Sequence, residues 1–74
     1  MELCLDKCKV GNEYEVLNIK EGSRVRRRIM DLGIVKGTKV KVTGKAPLGD
    51  PIEIALRGYK LTLRKEEAKD IIVK

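Results

Sequence analysis

Two stretches of the chain carry residue types that could do chemistry. The first is Cys4-Leu5-Asp6-Lys7-Cys8, where two thiols four positions apart could bind a soft metal such as zinc or iron, with Asp6 or Glu2 as further ligands. A closed structural zinc site takes four ligands, usually Cys or His. This chain has two Cys and no His, and Lys7 and Lys9 interrupt the candidate site. Cys4 and Cys8 are therefore weak metal candidates and no cofactor is required. Cys8 reads instead as a small apolar residue alongside Leu3, Leu5 and Val10. The second stretch is RVRRRIMDLGIVKG, residues 24–37, which opens with four arginines in five positions and then turns apolar.

Catalysis has little to work with. Without His there is no proton shuttle near neutral pH. Ser23 is the only serine and is better used as a helix cap, and neither GxxxxGK[ST] nor GxGxxG occurs. The expectation is a protein that is not an enzyme and has no small-molecule substrate.

Charge says more. The formal net charge is +6, yet residues 24–45 alone hold eight Lys and Arg against Asp31, a net of +7, while the rest of the chain sums to −1. The excess in one central stretch suits an anionic partner there, although a charge run of this kind also fits a simply solvated face. Nucleic acid is disfavoured, because two tyrosines with no Phe or Trp supply base stacking poorly. Contact with a phosphate backbone stays open. A protein partner with an acidic or nucleotide-bearing face suits the arginines as well. The EGS turn before the arginines adds backbone N–H groups that could receive an anion.

These residues need a scaffold. Glu13–Ile19 reads as a strand, with Tyr14, Val16 and Asn18 on one face opposite Leu17 and Ile19. Ser23 is a fair cap for a helix over about residues 24–32. At about 100° per residue, Val25, Ile29 and Leu32 share one stripe, and Gly33 ends the helix. Arg27 and Asp31, four apart, can pair on its surface. The period then changes to two: Val40 and Val42, next Ile52, Ile54 and Leu56, then Leu61 and Leu63 mark half-buried strands. GKAPLGDP is turn chemistry. KEEAK makes a helical turn before a last strand, IIV.

Seventy-four residues make one domain, 1–74, and 42% hydrophobic with 38% charged residues marks it as folded. The core must be aliphatic. Five short strands imply a small closed or nearly closed sheet, its open side plugged by the helix. No stretch approaches the roughly 18 apolar residues of a membrane helix, and charges in MELCLDKCKV break any signal-peptide stretch. The expected location is cytoplasmic.

The ordered combination of RRRIMDLGIVKGTKVKV and APLGDPIEIALRGYKLTLRKEEAKDIIV resembles the FeoA family, small proteins of ferrous iron transport. Arg28, Leu32, Gly33, Ile34 and Gly37 match its R-L-x-x-L-G-[IL]-x-x-G core, with Ile29 where Leu is usual and Lys36 where Pro is usual. Ala46, Pro47, Gly49, Asp50 and Pro51 match the following turn; Gly58, Leu61, Leu63, Arg64, Ala68 and Ile71 match the last two strands. Leu5, Gly11 and Val16 fit less specifically. The resemblance implies a mainly β, SH3-like barrel of about five strands, with one inserted helix and a helical turn near the C-terminus. It also implies an accessory role in bacterial ferrous iron uptake through docking on the cytoplasmic part of FeoB, the membrane GTPase transporter. The domain would then reach the membrane only through that partner. On this reading the partner-binding residues are Arg24, Arg26, Arg27, Arg28, Lys36 and Lys39, with Arg28 also a structural candidate. The alternative is a metal-responsive regulatory or nucleic-acid-binding SH3-like module using residues 24–45. The family core does not include Cys4 and Cys8.

Overall fold

A computed structural model describes residues 2–74. Its strands are β1 (Leu3–Cys4), β2 (Glu13–Ile19), β3 (Lys39–Lys45), β4 (Ile52–Leu56), β5 (Tyr59–Leu63) and β6 (Ile71–Val73), with helices α1 (Arg26–Asp31) and α2 (Lys65–Ala68). Short 3-10 segments cover Leu5–Lys7 and Pro47–Gly49. All strand pairs are antiparallel, in the order β1-β6-β2-β3-β4-β5.

The sheet therefore has six strands where five were expected. The extra one, β1, pairs Leu3 with Val73 and Cys4 with Ile72, and two residues are too few to show a period. The expected closure is not made by hydrogen bonds, since no ladder joins β1 to β5 among the described residues. Instead α1 lies along β5. At one end Arg28 shares a depression with Thr62 and Leu63; at the other the Tyr59 hydroxyl donates to the Leu32 carbonyl. The helix covers an edge that would otherwise invite strand pairing.

The alternating positions fill the core as their period requires: Val40, Val42, Ile52, Ile54, Leu56 and Leu63 are buried. Strand β2 departs from its expected alternation. Val16 pairs with Val73 but Asn18 pairs with Ile72, so Leu17 is an extra, bulged residue. Past the bulge the faces exchange, and Ile19 is buried on the same side as Val16 rather than opposite it. The Asn18 side chain accepts from the Ile19 N–H at 2.8 Å, holding the bulge locally.

Helix α1 starts two residues later than its cap suggested. Ser23 Oγ accepts from the Val25 N–H at 3.3 Å and donates to Asp70 Oδ2 at 2.7 Å, tying the turn to the end of α2. Its stripe faces inward as expected: Ile29 is buried, with Val25 and Leu32 packed against the core. Gly33 ends the helix at φ +93°. The Ile34 N–H reaches the Ile29 carbonyl and the Gly33 N–H the Met30 carbonyl, the paired bonds of a Schellman motif. A Cβ on Gly33 would sit 3.3 Å from the Tyr59 hydroxyl, so packing as well as dihedral angle demands glycine here.

Candidate partner-binding face

The six basic candidates do not form one continuous ridge. Arg28 ion-pairs with Glu67 of α2; its side chain is 56% exposed and that of Glu67 11%. The other Glu67 oxygen accepts from the Arg64 N–H at 2.9 Å, so both carboxylate oxygens are engaged. Arg26 donates to the Ile19 carbonyl at 3.0 Å, which fixes its head against the end of β2. Lys39 stands opposite Glu15 in the β2–β3 register, with no ion pair formed between their side chains.

That leaves Arg24, Arg27, Lys36 and Lys39 exposed, with no side-chain ion pair or hydrogen bond to other described residues. The expected Arg27–Asp31 pair is not formed among the described residues. Lys41 faces Glu13 across the ladder, and Lys45 donates to the Asp6 carbonyl at 3.2 Å. Of the eight basic residues in 24–45, Arg26, Arg28 and Lys45 are thus held by contacts inside the monomer. The EGS turn is less open to an anion than expected: the Ser23, Val25 and Arg26 N–H groups all bond within it, and the Asp70 carboxylate already sits against Ser23.

The fold adds cations that the charge count placed elsewhere. A depression of about 340 Å³ is lined by Arg28, Pro51, Thr62, Leu63, Arg64 and Glu67. It joins α1 to the loop between β3 and β4, so the cationic face continues from Arg28 to Arg64. Arg64 lies outside residues 24–45, and only the packing of β5 against α1 brings it in.

The thiols are arranged for packing. Cys8 is 1% exposed and belongs to the core with Leu5, its Sγ lying 3.6 Å from the Cys4 carbonyl oxygen. Leu3 and Val10, expected beside it, are exposed. No group of three or more Cys, Asp or Glu side chains comes together as a metal site among the described residues. Two sulfurs without a third donor fit a four-ligand zinc site poorly. Burial pushes the Cys8 thiol above its ordinary value of 9.0, against a smaller opposing pull from a Tyr14 hydrogen bond and Lys45. The folded state therefore favours the neutral thiol, and its contribution to stability is lost as pH rises through the raised value. Iodoacetamide at neutral pH is expected to modify half-buried Cys4 well before Cys8, with Cys8 gaining reactivity only above pH 9. Equal rates at neutral pH would show that the N-terminal segment does not hold Cys8 inside.

With this geometry in place, comparison with known proteins is decisive for kinship. The FeoA domain profile matches residues 3–74. The chain belongs to the FeoA family. A FeoA-like protein from Clostridium acetobutylicum, solved by NMR, is 51% identical and superposes with a TM-score of 0.92 over 99% of this chain and 85% of its own. The FeoA of Stenotrophomonas maltophilia, a prokaryotic SH3 domain protein solved in complex with zinc, is 26% identical, with a TM-score of 0.85 over 97% of this chain and 89% of its own. The third relative is the Fe(2+) transport protein A/Fe(2+) transporter FeoB fusion protein of Porphyromonas gingivalis, 30% identical over 69 residues. Those residues are 93% of this chain but 8% of the fusion protein. The family is thus linked to ferrous iron transport. No described helix is long and apolar enough to cross a membrane.

Proposed function

We propose that this FeoA domain is a cytoplasmic accessory of ferrous iron uptake that docks on the cytoplasmic part of FeoB and supports or regulates the transporter. The observation that carries the reading is the P. gingivalis protein, in which a homologous domain and FeoB share one polypeptide. Fusion keeps two domains at high effective concentration, which favours a working contact between them. Exposed Arg24, Arg27 and Lys36, without partners of their own among the described residues, supply a cationic surface for it.

The test is an NMR titration of the labelled domain with the purified cytoplasmic part of FeoB. Amide shifts are expected around Arg24, Arg27, Lys36 and Lys39. The double reversal Arg24→Glu/Arg27→Glu should weaken binding by about tenfold or more, and added salt should weaken the wild type. Absence of binding both with and without nucleotide would sink the reading.

A further inference from the structure

The least expected feature of the molecule is a leucine. Leu48 is 97% exposed, more than any other large apolar residue described. It sits at φ 74°, ψ 4°, inside Ala46-Pro47-Leu48-Gly49, where the Gly49 N–H returns to the Ala46 carbonyl at 2.8 Å. These are the angles of the third residue of a type II turn preceded by proline, a position that belongs to Gly or Asn. Leucine there carries a steric penalty from its Cβ and gains no burial in return. Neither local geometry nor the core accounts for it.

The loop that holds Leu48 is well tied. Its base closes through the Ala46 N–H to the Pro51 carbonyl at 3.0 Å, and Asp50 Oδ1 accepts from the Lys65 N–H at 3.0 Å, fastening the tip to the start of α2. The backbone beneath Leu48 is already ordered, so binding would have to fix only its side-chain rotamer. Pro51 also lines the depression shared with Arg28 and Arg64. The base of the loop that carries Leu48 therefore borders the depression that Arg28 and Arg64 line.

Resting on the docking reading above, we infer that Leu48 is the apolar anchor of that contact, inserting into a hydrophobic socket on FeoB whose rim is acidic and meets Arg64. A small apolar anchor surrounded by charge sets affinity through the buried side chain and orientation through the rim. Glu67 offsets Arg28, so the depression keeps one uncompensated cation, Arg64, and that charge argues for a carboxylate on the partner.

Leu48→Gly tests this cleanly, since glycine suits the backbone that leucine strains. The variant is expected to keep or raise the thermal midpoint while its affinity for the cytoplasmic part of FeoB falls by about tenfold or more. Leu48→Met should hold most of the wild-type affinity, and Arg64→Glu should weaken it. Wild-type binding with an unchanged affinity in Leu48→Gly overturns the anchor and leaves the docking reading standing. No wild-type binding overturns both. Co-sedimentation of the wild type with phosphatidylglycerol vesicles, lost in Leu48→Gly while FeoB affinity is unaltered, overturns the anchor in favour of a lipid contact.

Discussion

Glu67→Ala is expected to lower the unfolding free energy by about 2–4 kcal/mol, measured by urea or thermal denaturation. The carboxylate is 11% exposed and holds two charge-assisted contacts, one to the Arg64 N–H and one to the Arg28 guanidinium. The first fixes the entry to α2, where the Glu67 side chain reaches back to the backbone before its own helix. The second joins α2 to α1 across 39 positions of sequence. Alanine removes both and leaves the Arg64 N–H without its partner. A domain of this length has a total stability of roughly 4–11 kcal/mol, so the loss is a large fraction of it.

Arg28→Ala should cost less, about 1 kcal/mol, because the pair is partly open to water on the arginine side and Glu67 keeps its hydrogen bond from the Arg64 N–H. Glu67→Gln separates the two contacts. The amide oxygen still accepts from the Arg64 N–H, but the amide NH2 then faces the Arg28 guanidinium donor to donor, so the loss should fall between those of the other two variants. A Glu67→Ala cost below about 1 kcal/mol would mean that the carboxylate is solvated in solution and that α1 and α2 are held by apolar packing alone.

The same pair shows where reading a sequence reaches its limit. A run of four arginines looks like one feature, because sequence displays neighbours along the chain and hides neighbours in space. Arg28 was legible as a residue with a structural alternative, yet its carboxylate lies on α2, a contact that no local period can reveal. Conversely, period did identify Ile29 with Val25 and Leu32, and Val40 with Val42, since each pattern follows from one element with one buried face. It failed at Ile19, because the extra residue Leu17 shifts the phase of β2, and a bulge leaves alternation intact on either side of the break. The GKAPLGDP turn was legible as a turn. The full exposure of Leu48 in it was not, although a cue was present: proline followed by leucine and glycine puts a branched side chain where the turn wants none.

The second large effect falls on Ile29. Ile29→Ala is expected to cost about 3–4 kcal/mol. Six residues make too short a helix to persist alone, so α1 exists because its stripe is buried. Ile29 is the one residue of α1 that is fully buried, and its carbonyl also receives the Ile34 N–H that closes the helix end. Truncation thus leaves a cavity beneath the element that covers β5, with few neighbours able to collapse into it. Ile29→Val, which removes one carbon, should cost about 1 kcal/mol. Amide hydrogen exchange separates two modes of failure. If α1 lifts locally, the Leu32 and Gly33 amides lose protection while the Val42 amide keeps it; if the domain opens as a unit, all three fall together. Local lifting is the expected mode, because α1 packs on the sheet without joining a ladder. It would also set Arg27 adrift and uncover the β5 edge, so the variant should bind FeoB more weakly and aggregate more readily. Protection at Leu32 and Gly33 equal to wild type would show that the Schellman turn and the Tyr59 contact hold α1 without its buried isoleucine.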